Sequence, residues 1–341
     1  MTWTKQMPDG PVVAVAGATG AVGTEMLEVL AERDFPASRV VALASSRSAG
    51  RRVAFGEDEL SVEEMTPDSF QGVDLALFSA GGGVSKELAP AAVDAGCVVV
   101  DNSSAFRMEE TVPLVVPEVN PEDLAWHQGI VANPNCSTNQ MVVALKPLAE
   151  LAPLRRVVVS SYQAASGAGR AAMDELARQT ADVLAGKPAE PEAFAHRIAF
   201  NCIPHIDVFL DDGYTREDWK MVAETRKIMH LPDLAVAPTC VRVPVLRCHS
   251  ESINVEFDGA VSLDEVRAAF ARAEGIELMD DPAAGLYPMP ALLERTDACY
   301  VGRLRDDPSV ERGVAFWLVA DQLRKGAALN AVQIAEHLVK V

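Results

Sequence analysis

A single cysteine in "NPNCSTNQMVVALKPL", residues 133–148, is placed where a thiol could do chemistry. Pro134 and Asn135 suit a turn, and Ser137, Thr138 and Asn139 suit a helix start. Met141, Val142, Leu145 and Leu148 then recur as on a buried helical face. Cys136 is therefore expected at a helix N-terminus, where bare N–H groups and the macrodipole favour an anion and lower a thiol's pKa. A thiolate so placed is a nucleophile for acyl transfer. The local residues leave a second reading open, a small buried hydrophobe, which is what most free cysteines are.

A second chemical stretch lies nearer the N-terminus. "VAVAGATGAVG" sets Gly17, Gly20 and Gly23 between a strand and a helix, with Thr19, Ala21 and Val22 in the same turn. Glycines there let the backbone approach a pyrophosphate, whose charge rests on the helix N-terminus. The spacing is G-x-x-G-x-x-G rather than G-x-G-x-x-G, so its position between strand and helix matters more than the pattern itself. An NAD site usually ends its second strand on an acidic residue that holds the ribose hydroxyls. Here that strand runs into "SSRSAGRR", where Ser45, Arg47 and Ser48 offer hydroxyls and a guanidinium to a 2′-phosphate. The expected cofactor is NADP(H).

Both sites need elements to hold them. Apolar runs at 12–16, 40–44, 75–79 and 97–101, with helical patterns over about 21–33 and 84–95, predict a Rossmann-like, doubly wound parallel sheet. From residue 155 the pattern is less regular, with strands near 155–162, 235–243, 251–257 and 314–321 and helices near 167–185 and 217–229. The class is α/β, with a second domain of α+β type. The expected boundaries are 1–134 for the cofactor domain and 135–325 for the catalytic one, with a C-terminal helix over 326–341 packing back on the first.

Composition narrows the partners. Thirty Lys and Arg against 49 Asp and Glu leave a net charge of −19, which argues against a nucleic-acid backbone or an anionic membrane and requires a local cationic cluster for any anionic substrate. No apolar run approaches a membrane span, and "MTWTKQMPDG" has no signal-peptide core, so a cytoplasmic protein is expected. The six cysteines include no C-x-x-C, which favours reduced thiols. Cys202 with His205 and Cys248 with His249 do not recur in a zinc-type arrangement, and no metal is expected.

A nicotinamide beside a nucleophilic cysteine suits aldehyde chemistry through a thioester. "GATGAVG", "DNSSAFRM", "ANPNCSTNQM", "SYQAASGAG", "AETRK" and "RVPVLRCHSES" follow one another across nearly the whole chain, and together they resemble aspartate-semialdehyde dehydrogenase. The resemblance implies reversible reduction of 4-phospho-L-aspartate by NADPH to L-aspartate 4-semialdehyde and phosphate, on the path to lysine, methionine and threonine. It makes Cys136 the nucleophile, His249 the general acid/base and Gln163 a positioning residue. Asn135 and the N–H of Cys136 stand where they can steady an oxyanion. It further implies Arg107 and Lys227 as the phosphate site, Arg242 as the fork on the α-carboxylate and Glu224 as the partner of the ammonium, with Arg226 a rival cation beside Lys227. Ser166 and Gly167, and Asn330 in "NAVQIAE", match cofactor-contacting segments. A homodimer or homotetramer is implied. The rival readings are an N-acetyl-glutamyl-phosphate reductase, whose cysteine segment reads more like NPGCYPT, and a non-catalytic NADP-binding sensor.

Overall fold

A computed structural model describes residues 10–340, and the chain divides into two compact units. One holds the chain up to Asn135 together with Ala327 onward, and the other is Cys136–Gly326.

The first unit contains β1 (Val12–Ala16), α1 (Ala21–Glu32), β2 (Arg39–Ala44), β3 (Arg52–Phe55), β4 (Asp58–Glu64), β5 (Leu75–Phe78), α2 (Gly82–Asp94), β6 (Val98–Asp101) and β7 (Ile130–Ala132). Its sheet runs β3-β4-β2-β1-β5-β6-β7, with every pair parallel except the β3–β4 hairpin. Short Val- and Ala-rich strands with both faces covered are what a parallel sheet requires. Alternation along β1 shows the two faces: Val13 and Val15 belong to one apolar cluster with Met26, Leu27 and Leu30 of α1, while Ala14 and Ala16 face another with Leu88 and Ala92 of α2. Strand order reverses on either side of β1, the switch point at which such sheets bind ligands beyond their C-terminal ends.

The second unit contains α3 (Cys136–Ala149), β8 (Leu154–Gln163), α4 (Arg170–Leu184), α5 (Arg216–Ile228), β9 (Ala235–Arg242), β10 (His249–Phe257), α6 (Leu263–Arg272), β11 (Ile276–Leu278), β12 (Cys299–Asp306) and β13 (Gly313–Ala320). Its sheet is mixed, in the order β11-β12-β13-β10-β8-β9. One face is buried under α3, α5 and α6 and takes Val157, Val159, Ser161 and Gln163 from β8 and His249, Glu251, Ile253 and Val255 from β10. The opposite face carries the exposed Tyr162 against Trp317, ring centroids 5.3 Å apart. After this unit the chain adds α7 (Leu329–Lys340) to the first one, where Val332, Ile334 and Leu338 join the α1 cluster and Glu336 takes both arms of Arg33, at 2.7 and 2.8 Å.

Several elements lie outside the sequence expectation. Strand β3, at the sheet edge, is only four residues long, β4 is mostly polar, and β7 and β11 are only three residues long, so none carries a long apolar period. Helix α6 and strand β12 are also additions to the expectation, although Ser262 and Glu265 form a capping box ahead of α6. Helix α4 begins at Arg170 rather than near 167 because residues 165–168 close a 3₁₀ turn. Among the described residues no helix is long and apolar enough to cross a membrane.

The start of α5 is fixed from the sheet. Thr215 Oγ1 accepts from the Asp218 N–H at 3.2 Å, and the Asp218 carboxylate accepts from the Thr215 N–H at 2.8 Å. The other Asp218 oxygen accepts from the Cys240 N–H of β9 at 2.8 Å. Replacing a capping hydroxyl typically costs about 1 kcal/mol. Thr215→Ala should therefore lower the calorimetric Tm by about 2–4 °C while Thr215→Ser stays near wild type; an unchanged Tm in the alanine variant would show that the cap adds nothing.

Candidate active site

Cys136 is the first residue of α3, half-buried, at the bare N–H end of the helix. Close approach of the 324–328 helical turn is possible only because residue 326 is glycine: a Cβ there would lie 2.9 Å from the Cys136 Cβ. The thiols of Cys240 and Cys248 are pushed up by burial, with acidic neighbours adding to the effect. Cys97 is spent on the carbonyls of Phe70 and Val73, at 3.5 and 3.1 Å.

Gln163, at the end of β8, lies opposite Arg242, at the end of β9, in the parallel register. His249 opens the adjacent strand β10. The two residues with charge or proton to offer are both bound to Ala164: its N–H donates to His249 Nδ1 at 3.0 Å, and its carbonyl accepts from Arg242 at 2.6 Å. An accepting Nδ1 leaves the ring proton on Nε2, and Nε2 has no partner among the described residues. Burial, with the nearby charge of Arg242, holds the His249 pKa well below the usual imidazole range, so the resting ring is neutral and carries an Nε2–H. Burial also lowers Arg242, opposed first by the negative charge of Cys136 and then by that of Glu217. The guanidinium thus bears electrostatically on the thiolate and on the imidazole alike. Gly167 forms the floor: a Cβ there would stand 2.8 Å from an Arg242 nitrogen and 3.1 Å from His249 Nε2. Ser166 accepts a hydrogen bond from Gln322, which in turn receives the Cys248 N–H at 2.9 Å.

An acidic and a basic group of α5 stand beside Gln163. Gln163 donates to Glu217 at 3.2 Å, and Glu217 accepts from Lys220 at 3.1 Å. Asp207 holds the same ammonium at 2.8 Å. Burial alone would lower the Lys220 pKa, but the charges of Glu217 and Asp207 raise it. The expectation named Glu224 and Lys227, whereas the pair bonded to Gln163 is Glu217 with Lys220. Helix α5 runs antiparallel to β9, so that Asp218 is level with Cys240 and Arg226, bonded to the Leu234 carbonyl at 2.9 Å, is level with the start of the strand. Glu224 and Lys227 lie two turns further along α5, roughly 10 Å along the axis from the Glu217–Lys220 pair. The sequence repeats the same Glu-x-x-Lys spacing at 217–220 and 224–227, and only the pairing of α5 with β9 separates the two.

In the first unit, Gly17 adopts φ +95°, and a side chain on it would strike the Ser79 carbonyl oxygen at 2.4 Å. A Cβ on Gly23 would overlap the Gly17 carbonyl oxygen at 2.1 Å, so the turn folds tightly onto α1. Gly20 provides no side-chain cap, and the N–H groups of Ala21, Val22 and Gly23 open the helix without one. The turn fits a pyrophosphate. Thr19 reaches Ser48 at 3.5 Å, and Ser45 and Arg47 are exposed just past the end of β2. Arg107 is buried and donates to the carbonyls of Asn133 and Asn102, both at 2.9 Å; Asn135 is buried as well. Asn330, expected at the cofactor, makes hydrogen bonds within the first unit. It is fully buried, and its amide donates to Val115 O at 3.0 Å and Asn133 Oδ1 at 2.6 Å, which fastens α7 to the strand that leads toward Asn135.

Comparison with known proteins places the chain in a family. Residues 12–127 match the family described as "Semialdehyde dehydrogenase, NAD binding domain", and residues 145–325 match "Semialdehyde dehydrogenase, dimerisation domain". The chain is 51% identical to the aspartate-semialdehyde dehydrogenase of Bacillus subtilis (strain 168), over 98% of this chain and 99% of that one. It is similar to the crystal structure of aspartate semialdehyde dehydrogenase II complexed with ASA from Vibrio cholerae, with TM-score 0.95, 48% identity and coverage of 97% and 98%. An aspartate semialdehyde dehydrogenase with NADP from Candida albicans is also similar, with TM-score 0.74, 25% identity and coverage of 96% and 98%.

The shared field of Arg242 gives a direct test. Cys136 should react with iodoacetamide faster than the other five cysteines near neutral pH, and Arg242→Ala should slow that reaction by raising the thiol pKa. Peptide mapping of the alkylated protein distinguishes the sites; equal labelling, or no effect of Arg242→Ala, would remove the electrostatic link.

Proposed function

From the chain's membership of the aspartate-semialdehyde dehydrogenase family, we propose that it catalyses the NADPH-dependent reduction of 4-phospho-L-aspartate to L-aspartate 4-semialdehyde and phosphate, reversibly and through a thioester on Cys136. The observation that carries this reading is a cysteine at a helix N-terminus within the field of Arg242, beside a neutral histidine whose proton sits on its open nitrogen.

In the reductive direction the Cys136 thiolate attacks the acyl-phosphate carbonyl, the carbon–oxygen bond to phosphate breaks, and a thioester remains. Asn135 and the Cys136 N–H steady the tetrahedral oxyanion. The bound nicotinamide supplies hydride. The resulting alkoxide takes a hydrogen bond from His249 Nε2–H and collapses to the aldehyde, releasing the thiolate, so that no net proton is lost from the ring. The α-carboxylate is given to Arg242, whose planar fork matches it. Phosphate is given to Arg107 and Lys220, and the substrate ammonium to Glu217; these last two take the roles first expected of Lys227 and Glu224. The glycine turn with Thr19, Ala21 and Val22 holds the pyrophosphate, and Ser45, Arg47 and Ser48 meet a 2′-phosphate, which makes NADP the preferred cofactor. Ser166 and Gly167 lie beside Arg242 and His249 and are assigned to the nicotinamide end.

The reading extends to amino-acid biosynthesis leading to lysine, methionine, threonine and diaminopimelate, to a cytoplasmic location and to a homodimer or homotetramer. Support for association comes from the relatives' dimerisation domain and from the exposed Tyr162, Met289 and Leu292 on the second unit.

The test supplies aspartate semialdehyde, phosphate and NADP and follows NADPH. Turnover on the N-acetyl-glutamyl analogue alone would reverse the substrate assignment. In the same assay Lys220→Ala should raise the KM for phosphate about ten- to a hundredfold, the usual loss for a charged hydrogen bond, while Lys227→Ala changes it little. The opposite pattern would return the phosphate site to Lys227. Arg47→Ala should weaken NADP by a similar factor and spare NAD; equal losses for both cofactors would make Arg47 a structural residue.

A further inference from the structure

The loop that follows α4 is fastened more firmly than a surface loop requires. Residues 190–202 belong to no helix or strand, and residues 190–197 are exposed apart from the half-buried Phe194. Glu175 and Gln179, one turn apart on α4 and both buried, nevertheless bind the backbone of this loop. Gln179 Oε1 accepts from the N–H groups of Ile198 and Ala199, at 2.9 and 3.3 Å, and the Gln179 amide nitrogen donates to the Glu190 carbonyl at 3.1 Å. The same nitrogen donates to Glu175 at 2.9 Å, and the other Glu175 oxygen accepts from the N–H groups of Glu192, at 3.1 Å, and of Ala193. The loop so held reaches Arg242 twice. Ile203 and Arg242 exchange backbone hydrogen bonds, each at 2.9 Å, and Arg242 Cζ lies over the Phe194 ring, 5.9 Å from its centroid. Ile198, Ala199 and Ile203 pack with Leu176 of α4 and with Ala165, the neighbour of the residue whose carbonyl holds the guanidinium.

We propose that Phe194 is a positioning residue for the substrate carboxylate: its ring, held in place through Glu175 and Gln179, backs one face of the Arg242 guanidinium and leaves the in-plane N–H fork to the ligand. A guanidinium donates only within its plane, so a ring over its face takes no donor away from a carboxylate. The negative face of the ring favours the buried cation. A carboxylate side chain in the same place would favour it too, but would compete with the substrate for the same N–H groups. The Ala164 carbonyl holds Nη1 within the plane, and Phe194 limits tilting out of it. Fastening the loop to α4 orders the ring before the substrate arrives, so that binding does not bear that entropy.

The inference rests on the reading of Arg242 as the fork on the α-carboxylate, and the oxidative assay tests the two separately because semialdehyde and phosphate are then distinct ligands. Phe194→Leu, which keeps an apolar side chain without the ring, should raise the KM for aspartate semialdehyde about three- to thirtyfold, the usual range for a lost cation–π contact, and leave the KM for phosphate within about twofold. Phe194→Tyr, which retains the ring face, should stay near wild type for both ligands. An unchanged semialdehyde KM in Phe194→Leu, equal rises for both ligands, or a Phe194→Tyr enzyme as impaired as Phe194→Leu would each overturn the proposal. Should Phe194→Leu fail to fold, Phe194→Met is judged by the same two constants. Arg242→Lys keeps the charge and loses the fork, so it reports on the underlying reading. If it raises the semialdehyde KM while Phe194→Leu does not, the carboxylate site stands and the role of Phe194 is refuted. If it raises the phosphate KM instead, the carboxylate assignment of Arg242 fails and the inference falls with it.

Discussion

The peptide groups at Ala164 hold the centre together. Its N–H fixes the tautomer of His249 and its carbonyl fixes the guanidinium of Arg242, so one residue between a strand and a 3₁₀ turn orients both an acid and a cation. Neither side chain could be buried cheaply by itself. A buried imidazole without this donor would have no fixed proton, and a buried guanidinium needs acceptors and counter-charge, which the Ala164 carbonyl, Cys136 and Glu217 provide. The glycine at 167 follows from the same constraint, since any side chain there would occupy the space of both groups.

The surrounding sheet is arranged to keep that residue still. Gln163 is held in register with Arg242 across β8 and β9, and the Cys248 N–H is held by Gln322, which also reaches Ser166. Cys248 itself sits at φ +70°, a conformation disfavoured for a side-chain-bearing residue, immediately before His249. Strain of this kind persists where neighbours over-determine it, and it is common next to reacting groups.

Much of this was legible in the sequence because strong local rules coincide with chemistry. The glycine turn follows an apolar strand, and Cys136 precedes an apolar helical period, so position and type agree. Gln163, Arg242 and His249, which the resemblance singled out, lie at the ends of three neighbouring strands. What the sequence could not resolve was long-range register. Glu217–Lys220 and Glu224–Lys227 are equivalent by spacing, and the choice depends on which turn of α5 lies level with Cys240. The partners of Asn330 were out of reach for the same reason: its amide donates to Val115 and Asn133, about two hundred residues earlier in the chain. Strands β3 and β4 escaped because β3 is only four residues long and β4 carries mostly polar residues.

The central claim is that the carbonyl carbon of the substrate becomes bonded to Cys136 before hydride arrives. Intact-mass spectrometry of the protein mixed with 4-phospho-L-aspartate in the absence of nicotinamide tests it most directly, because the chemistry then stops at the thioester. The account predicts one aspartyl adduct per chain, sensitive to hydroxylamine, mapped to the peptide containing Cys136 and discharged to aldehyde when NADPH is added. An unmodified protein that still turns over when NADPH is present, or an adduct on any other residue, would contradict it.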